Sequence, residues 1–196
     1  MKNRRNKTYY QILDVAEELF SARGYLAVKL HEIAAVLDMT RAALYYYAPG
    51  GKEQLFVDVM ERSFHRHREG MEVAIRAAGP ELRNQLHAAA KWLLSQPPLN
   101  IARMDASDFP SMSTENAHKL LTLLFESLRT PVAAALERAQ TANVVDVPHI
   151  DFAAITFTSV VETIHMRADT TPAGTEQKEV MVEHLINMLL NGWLKR

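Results

Sequence analysis

The apolar positions of residues 30–47 fall into two short helical patterns separated by a polar break. Leu30, Ile33, Ala34 and Leu37 follow the i, i+3, i+4, i+7 spacing that lines one face of a helix. The break is Asp38-Met39-Thr40. Thr40 brings a hydroxyl to the place where a second helix needs an N-cap. That helix, from Arg41 to about Tyr47, is too short to hold in isolation. It opens on Arg41 and closes on three tyrosines. Two short helices around a tight turn, the second rich in hydrogen-bond donors, are the layout of a helix-turn-helix.

Elsewhere the pattern is helical and no segment sustains strand alternation, which predicts an all-α fold of about nine helices. Residues 9–23 put Ile12, Leu13, Ala16, Leu19 and Phe20 on one face, with Thr8 as a cap. Gly24 stands just past the end, where a left-handed glycine stops a helix. Ala48-Pro49-Gly50-Gly51 is the strongest break in the chain. Residues 52–78 form a long helix with apolar positions from Leu55 to Ile75. Residues 81–95 form another, stopped at Pro97-Pro98. Residues 99–112 are mixed and predict a short helix plus a loop. Ser113 or Thr114 caps a helix reaching about residue 142, in which Pro131 predicts a kink or a break. Two strongly apolar helices, 151–167 and 175–193, close the chain. These limits give a helix-turn-helix domain at residues 1–51 and a larger domain at 52–196, entered by the helix that begins at Lys52.

Composition narrows the class. At 196 residues with 48% hydrophobic content, the chain can build a core and is not globally disordered. The absence of cysteine excludes disulfides, thiolate metal sites and a cysteine nucleophile, and fits a reducing, cytoplasmic setting. No apolar run reaches the roughly 18 residues of a membrane span. No apolar signal-peptide stretch follows the basic start MKNRRNK. Residues 1–56 hold 8 Lys/Arg against 6 Asp/Glu, net +2, while residues 57–196 hold 14 against 17, net −3. A basic arm ahead of a small helical unit suits phosphate contact. No H-E-x-x-H, Gly-rich phosphate loop or G-x-S-x-G occurs, and His65 and His67 are two apart on a helix and so do not face one site. The expectation is a protein with no catalytic site, no metal and no cofactor.

The run Ile12-Leu13-Asp14-Val15-Ala16-Glu17-Glu18-Leu19-Phe20 is followed by Arg23-Gly24-Tyr25, Ile33-Ala34, Thr40-Arg41, Leu44-Tyr45-Tyr46 and finally Lys52-Glu53 and Leu55. In order and spacing this resembles the DNA-binding domain of the TetR (tetracycline repressor-like) transcriptional regulators. The resemblance covers about residues 8–57. It implies a three-helix DNA-binding domain followed by a larger helical domain that binds a ligand and dimerises. It makes residues 40–47 the recognition helix and puts Thr40, Arg41, Tyr45, Tyr46 and Lys52 on positions that usually touch DNA. Three positions depart from the pattern. Lys29 stands where Ser or Thr usually opens the support helix, which removes a cap worth about 1 kcal/mol but offers an ammonium to a phosphate. Ala48 stands where Phe is common. Gly50 or Gly51 adds one residue to the turn before Lys52, which makes the exit of the recognition helix more mobile.

The residue types suit this role. Arg41 can pair bidentately with guanine O6 and N7 or hold a phosphate. Ala42, with its neighbour Ala43, is small enough for close approach to the groove floor. Tyr46 and Tyr47 offer phenolic donors to phosphates, and Tyr45 is expected to turn inward beside Leu44. Lys52 adds charge at a helix N-terminus. A palindromic operator on double-stranded DNA, read by a symmetric homodimer, supplies the specificity that one short helix lacks. Residues 151–167 and 175–193 are the expected dimerising pair, because helices apolar on more than one face must be buried somewhere. A small-molecule effector is expected among the helices of the larger domain. Phe152, Ile155, Thr156, Ser159, Glu162 and Met166 share a mixed face, with His165 beside them. Trp92, Met104, Leu121 and Phe125 are the candidate apolar walls. Glu162 and His165 lie in an apolar stretch, where burial shifts ionisation. The alternative is a helical small-molecule-binding protein whose DNA binding is weakened or lost.

Overall fold

The computed structural model describes residues 2–168 and 174–193. Among the described residues there are nine α-helices and no strand. They are α1 (Lys2–Ala27), α2 (Leu30–Val36), α3 (Arg41–Tyr47), α4 (Gly51–Ala77), α5 (Leu82–Ser95), α6 (Ile101–Arg103), α7 (Thr114–Thr141), α8 (Ile150–Ala168) and α9 (Gly174–Trp193). α6 runs on through a π-turn at Met104–Asp108 and a 3-10 turn at Phe109–Ser111, so the segment 99–112, expected to be a short helix plus a loop, is helical over most of its length. No described helix is long and apolar enough to cross a membrane.

The chain forms two compact units, Met1–Ser63 with Ala102–Leu123, and Phe64–Ile101 with Leu124–Arg196. The first unit is larger than the domain expected at residues 1–51. Its core shows why. Ile12, Ala16 and Phe20 of α1 are buried, as are Leu55, Phe56, Val59 and Met60 of α4. The Phe56 ring lies 5.0 Å from Phe20, edge-on, and 5.0 Å from Tyr25. Met104, Phe109 and Leu120 complete this core from the later segment. Polar contacts hold α4 to α1: the Tyr9 hydroxyl donates to Asp58, and Arg62 donates to Asp14 at 2.8 Å and Glu17 at 2.7 Å. Burial and the Asp58 carboxylate hold the Tyr9 hydroxyl well above the ordinary phenol range.

Helix α2 ends without glycine. Asp38 takes φ +51, the Asp38 N–H bonds the Ala35 carbonyl at 3.2 Å and the Met39 N–H bonds the Ala34 carbonyl at 2.8 Å. This is a Schellman ending with aspartate in the left-handed place. Gly24 behaves differently from a simple stop. Its φ of 79° is positive but its ψ of 168° is extended, and a further helical turn follows to Ala27.

In the second unit, α8 packs against α5 and α9, and α5 against α9. Leu86, Ala89, Ala90 and Leu93 of α5 and Ala154, Phe157 and Val161 of α8 are buried there. Helix α7 is not broken by Pro131. Burial of Val132, Ala133, Ala135 and Leu136 holds the helix through it, although the proline takes away the helical donor for the Ser127 carbonyl.

Gly70 marks a close approach in this unit. A Cβ there would lie 2.0 Å from Cε2 and Cζ2 of Trp92. Gly70→Ala gains up to about 1 kcal/mol of helix propensity, but a ring atom cannot yield like the tip of a flexible chain. Overpacking wins, and the variant is less stable by about 1–3 kcal/mol. Urea unfolding checks this; an unchanged or higher midpoint would show that the indole moves aside freely.

Candidate nucleic-acid interface and effector region

The Thr40 hydroxyl accepts the Ala43 N–H at 3.1 Å, so the cap expected from the sequence is made. α3 then points Leu44 inward, fully buried, with Ala48 buried one turn on. Thr40, Arg41, Ala42, Tyr45 and Tyr46 are all exposed, and Tyr46 reaches 62%. These positions, i, i+1, i+4 and i+5 with the cap, form one continuous face. The tyrosines are arranged differently from the expectation. Tyr45 lies outward, with the Arg41 guanidinium 5.6 Å from its ring centroid and Arg41 Nη2 donating to its hydroxyl at 3.4 Å. Tyr47 is the half-buried one, its ring edge-on to Tyr46 at 5.3 Å. Leu44 fills the inward position, and the helical rotation of about 100° per residue carries Tyr45 away from it.

The departures at the borders have local explanations. Lys29 has no side-chain cap to offer, but its N–H donates to Glu32 Oε2 at 2.7 Å, which supplies a bond at the start of α2. The Arg23 guanidinium, 2.7 Å away, and then this N–H hold the Glu32 carboxyl below its ordinary range. The Lys29 side chain is exposed. The added residue in the turn is tied down. The Gly51 N–H bonds the Ala48 carbonyl at 3.0 Å, the Gly50 N–H bonds Gln54 Oε1 at 2.7 Å, and Gly51 takes φ +72.

Lys52 faces the end of α1. Its ammonium donates to the carbonyls of Tyr25 at 2.8 Å and Val28 at 3.2 Å and stands 4.3 Å from the Tyr25 ring centroid. Glu53 works in the other direction. It accepts the Ser113 N–H at 3.0 Å, the Ser113 hydroxyl, and Asn116 Nδ2 at 2.7 Å, at the start of α7. These hydroxyl and amide donors hold its carboxyl below the ordinary range. The pair Lys52-Glu53 thus fastens two other segments onto α4.

Sequence reasoning missed Arg103 and Asp108. The Tyr25 N–H, which a continuous α1 would give to Ser21, donates instead to Asp108 Oδ1 at 2.9 Å. Arg103 donates to the carbonyls of Ser21 at 3.1 Å and Phe20 at 3.0 Å, and to Asp108 Oδ2 at 3.3 Å. An arginine and an aspartate therefore replace the backbone partners lost at Gly24. A Cβ on Gly24 would meet Arg103 Cδ at 3.0 Å. The only sequence signal was charged residues in a mixed, helix-like segment.

The eleven residues expected around an effector are divided between the two units and differ in burial. Met104, buried, and Leu121, half-buried, belong to the first unit, and Trp92 to the second. Phe125 is 45% exposed and Phe152 is 72% exposed. Ile155, Thr156, Ser159 and Met166 are half-exposed beside Phe152 on the outer side of α8. Only Glu162 and His165 of that set are buried. Periodicity groups these residues correctly but does not say which edge of the stripe faces the interior. Glu162 accepts the Leu99 N–H at 3.0 Å on Oε2, while its buried Oε1 has no hydrogen-bond partner. Burial pushes this carboxyl up to about 7, offset only in part by the Leu99 N–H. Trp92 Nε1 and Ser127 Oγ, in the same unit, are also buried without a partner. A separate cleft of about 530 Å³ opens along α5 and α9, with His87, Lys91, Leu94, Lys178, Val182 and Glu183 among its walls.

Residues 12–59 match the family model of bacterial regulatory proteins, tetR family. The chain is 38% identical over 50 residues to the HTH-type transcriptional regulator LmrA of Bacillus subtilis (strain 168), an alignment that spans 26% of this chain and 27% of that protein. A regulatory protein of the tetR family from Rhodococcus RHA1 superposes with a TM-score of 0.69 at 24% identity, covering 94% of this chain and 96% of that one. A protein from Saccharomonospora viridis, solved in complex with choline and described as a transcriptional regulator, superposes with a TM-score of 0.78 at 17% identity, covering 97% of this chain and 100% of that one. At these identities the superpositions speak for the fold.

Proposed function

We propose, from the match of residues 12–59 to the family model of bacterial regulatory proteins, tetR family, that the protein is a homodimeric repressor that a small molecule releases from a palindromic operator. The observation that carries this reading is the exposed face of α3. Thr40, Arg41, Ala42, Tyr45 and Tyr46 stand together on a capped helix whose other side is core. Arg41 reads a base edge, Tyr45 and Tyr46 hold phosphates, and Lys29 adds charge at the border.

Dimerisation through α8 and α9 suits the apolar side chains left outside the second unit's own core. Phe152 on α8 and Val180, Met181 and Met188 on α9 are exposed, and a patch of that kind marks an interaction surface. The residues first expected around the effector on the Phe152 face serve this interface better. The effector site is then the interior of the second unit, where Glu162 and His165 are buried. The choline held by the Saccharomonospora protein supports a small-molecule ligand in a fold of this shape.

Selection of bound duplexes from random DNA tests the proposal. The selected sequences contain an inverted repeat, and Arg41→Ala weakens binding to them by about 1–3 kcal/mol. Recovery of no common sequence would favour a ligand-binding protein without operator recognition. Lys52→Met separates two roles of the lysine. Its ammonium is spent on carbonyls, so the variant weakens DNA binding while the slope of log Kobs against log salt stays at the wild-type value. A slope smaller by about one would mean that Lys52 neutralises a phosphate.

A further inference from the structure

We infer that Glu162 anchors the charged end of the effector, and that the effector is an organic cation, an ammonium or amine carried on a small apolar body. This deepens the ligand-responsive reading above and rests on it. Glu162 is 3% exposed, one oxygen is held by the Leu99 N–H at 3.0 Å, and the other is buried with no partner. Among the described residues, burial raises its carboxyl and the Leu99 N–H offsets this in part. A buried carboxylate without a counter-charge is costly, and a half-satisfied one calls for an explanation. A bound organic cation supplies the missing counter-charge, and one that carries an N–H or O–H also supplies the missing donor.

The packing of the second unit is compatible with the same chemistry. α5, which carries Trp92, packs on α8, which carries Glu162. Aromatic rings attract cations, and tryptophan does so best. An anionic effector would meet repulsion at Glu162.

The test is thermal unfolding of the full chain and of Glu162→Gln with tetramethylammonium, choline and tetraethylammonium chlorides. Controls are the neutral analogues in which carbon replaces the quaternary nitrogen, and a set of small carboxylates. An ammonium raises the wild-type Tm by about 5–10 °C at a hundredfold excess over Kd. Its neutral analogue does not, and Glu162→Gln loses the shift without a lower Tm of its own. Equal stabilisation by the neutral analogue, or a shift retained in Glu162→Gln, overturns the inference. If only neutral molecules or carboxylates stabilise the chain, the effector reading stands and the cation falls. If no compound shifts Tm, both fall.

Discussion

Arg103→Met lowers the unfolding free energy by about 3 kcal/mol, the low end of the range for breaking a buried ion pair by removing one partner. The reason is the network around the break at Gly24. The guanidinium satisfies the Phe20 and Ser21 carbonyls and pairs with Asp108, whose side chain is 2% exposed. Methionine keeps much of the volume but leaves the carboxylate without its guanidinium, with the Tyr25 N–H as its hydrogen-bond donor. For a chain of this size each kcal/mol moves Tm by about 2–4 °C, so the variant melts roughly 6–12 °C early. Because Tyr25 and α1 support α2 and α3, the DNA affinity proposed for the α3 face falls with it. Adding Asp108→Asn recovers part of the loss, since the unpaired charge is gone. Urea titrations of the two single variants and the double variant measure this, and a change under about 1 kcal/mol for Arg103→Met would mean that the network is incidental to folding.

Glu162→Gln acts in the opposite direction. The wild-type carboxyl is raised from an ordinary 4.5 to about 7 by burial. Between those pH values the folded chain holds a proton that the unfolded chain has released. Stability contributed by the neutral acid is therefore lost as pH rises through this window. Above it, the folded chain carries the full cost of a buried charge, about 3 kcal/mol at 1.36 kcal/mol per pH unit. Glutamine removes that cost and its carbonyl oxygen can still accept the Leu99 N–H. The variant is expected to be more stable than wild type by about 3 kcal/mol at pH 8 and no more stable below pH 4.5. Unfolding curves at several pH values compare the two proteins; a difference that does not grow with pH would show that Glu162 is solvated or paired. A group that costs stability and is removed with a gain is one that function retains.

Much of this was legible beforehand because it is local. The rhythm of Leu30, Ile33 and Ala34, the Thr40 cap and the positions of Lys52-Glu53 are set within a turn or two of helix. The residues of the α3 face followed from the same spacing, and only the order of the tyrosines differed. The domain limit was less legible. A linear chain shows where patterns break, and Ala48-Pro49-Gly50-Gly51 is such a break, yet α4 buries Leu55 and Phe56 with α1. The burial of the residues expected around an effector was least legible, because Phe152 and Glu162 share one helix and differ only in which edge of it turns inward.

By itself the sequence determined an all-α chain, the order of its helices and the helix-turn-helix. Those follow from side-chain period, capping and turn chemistry, which act over a few residues. Only the tertiary structure decided that Lys52 holds α1, that Arg103 and Asp108 repair its break from more than eighty residues away, and that Glu162 is buried with one oxygen unmet. Those depend on which distant groups meet, and no local preference encodes the partner of a charge.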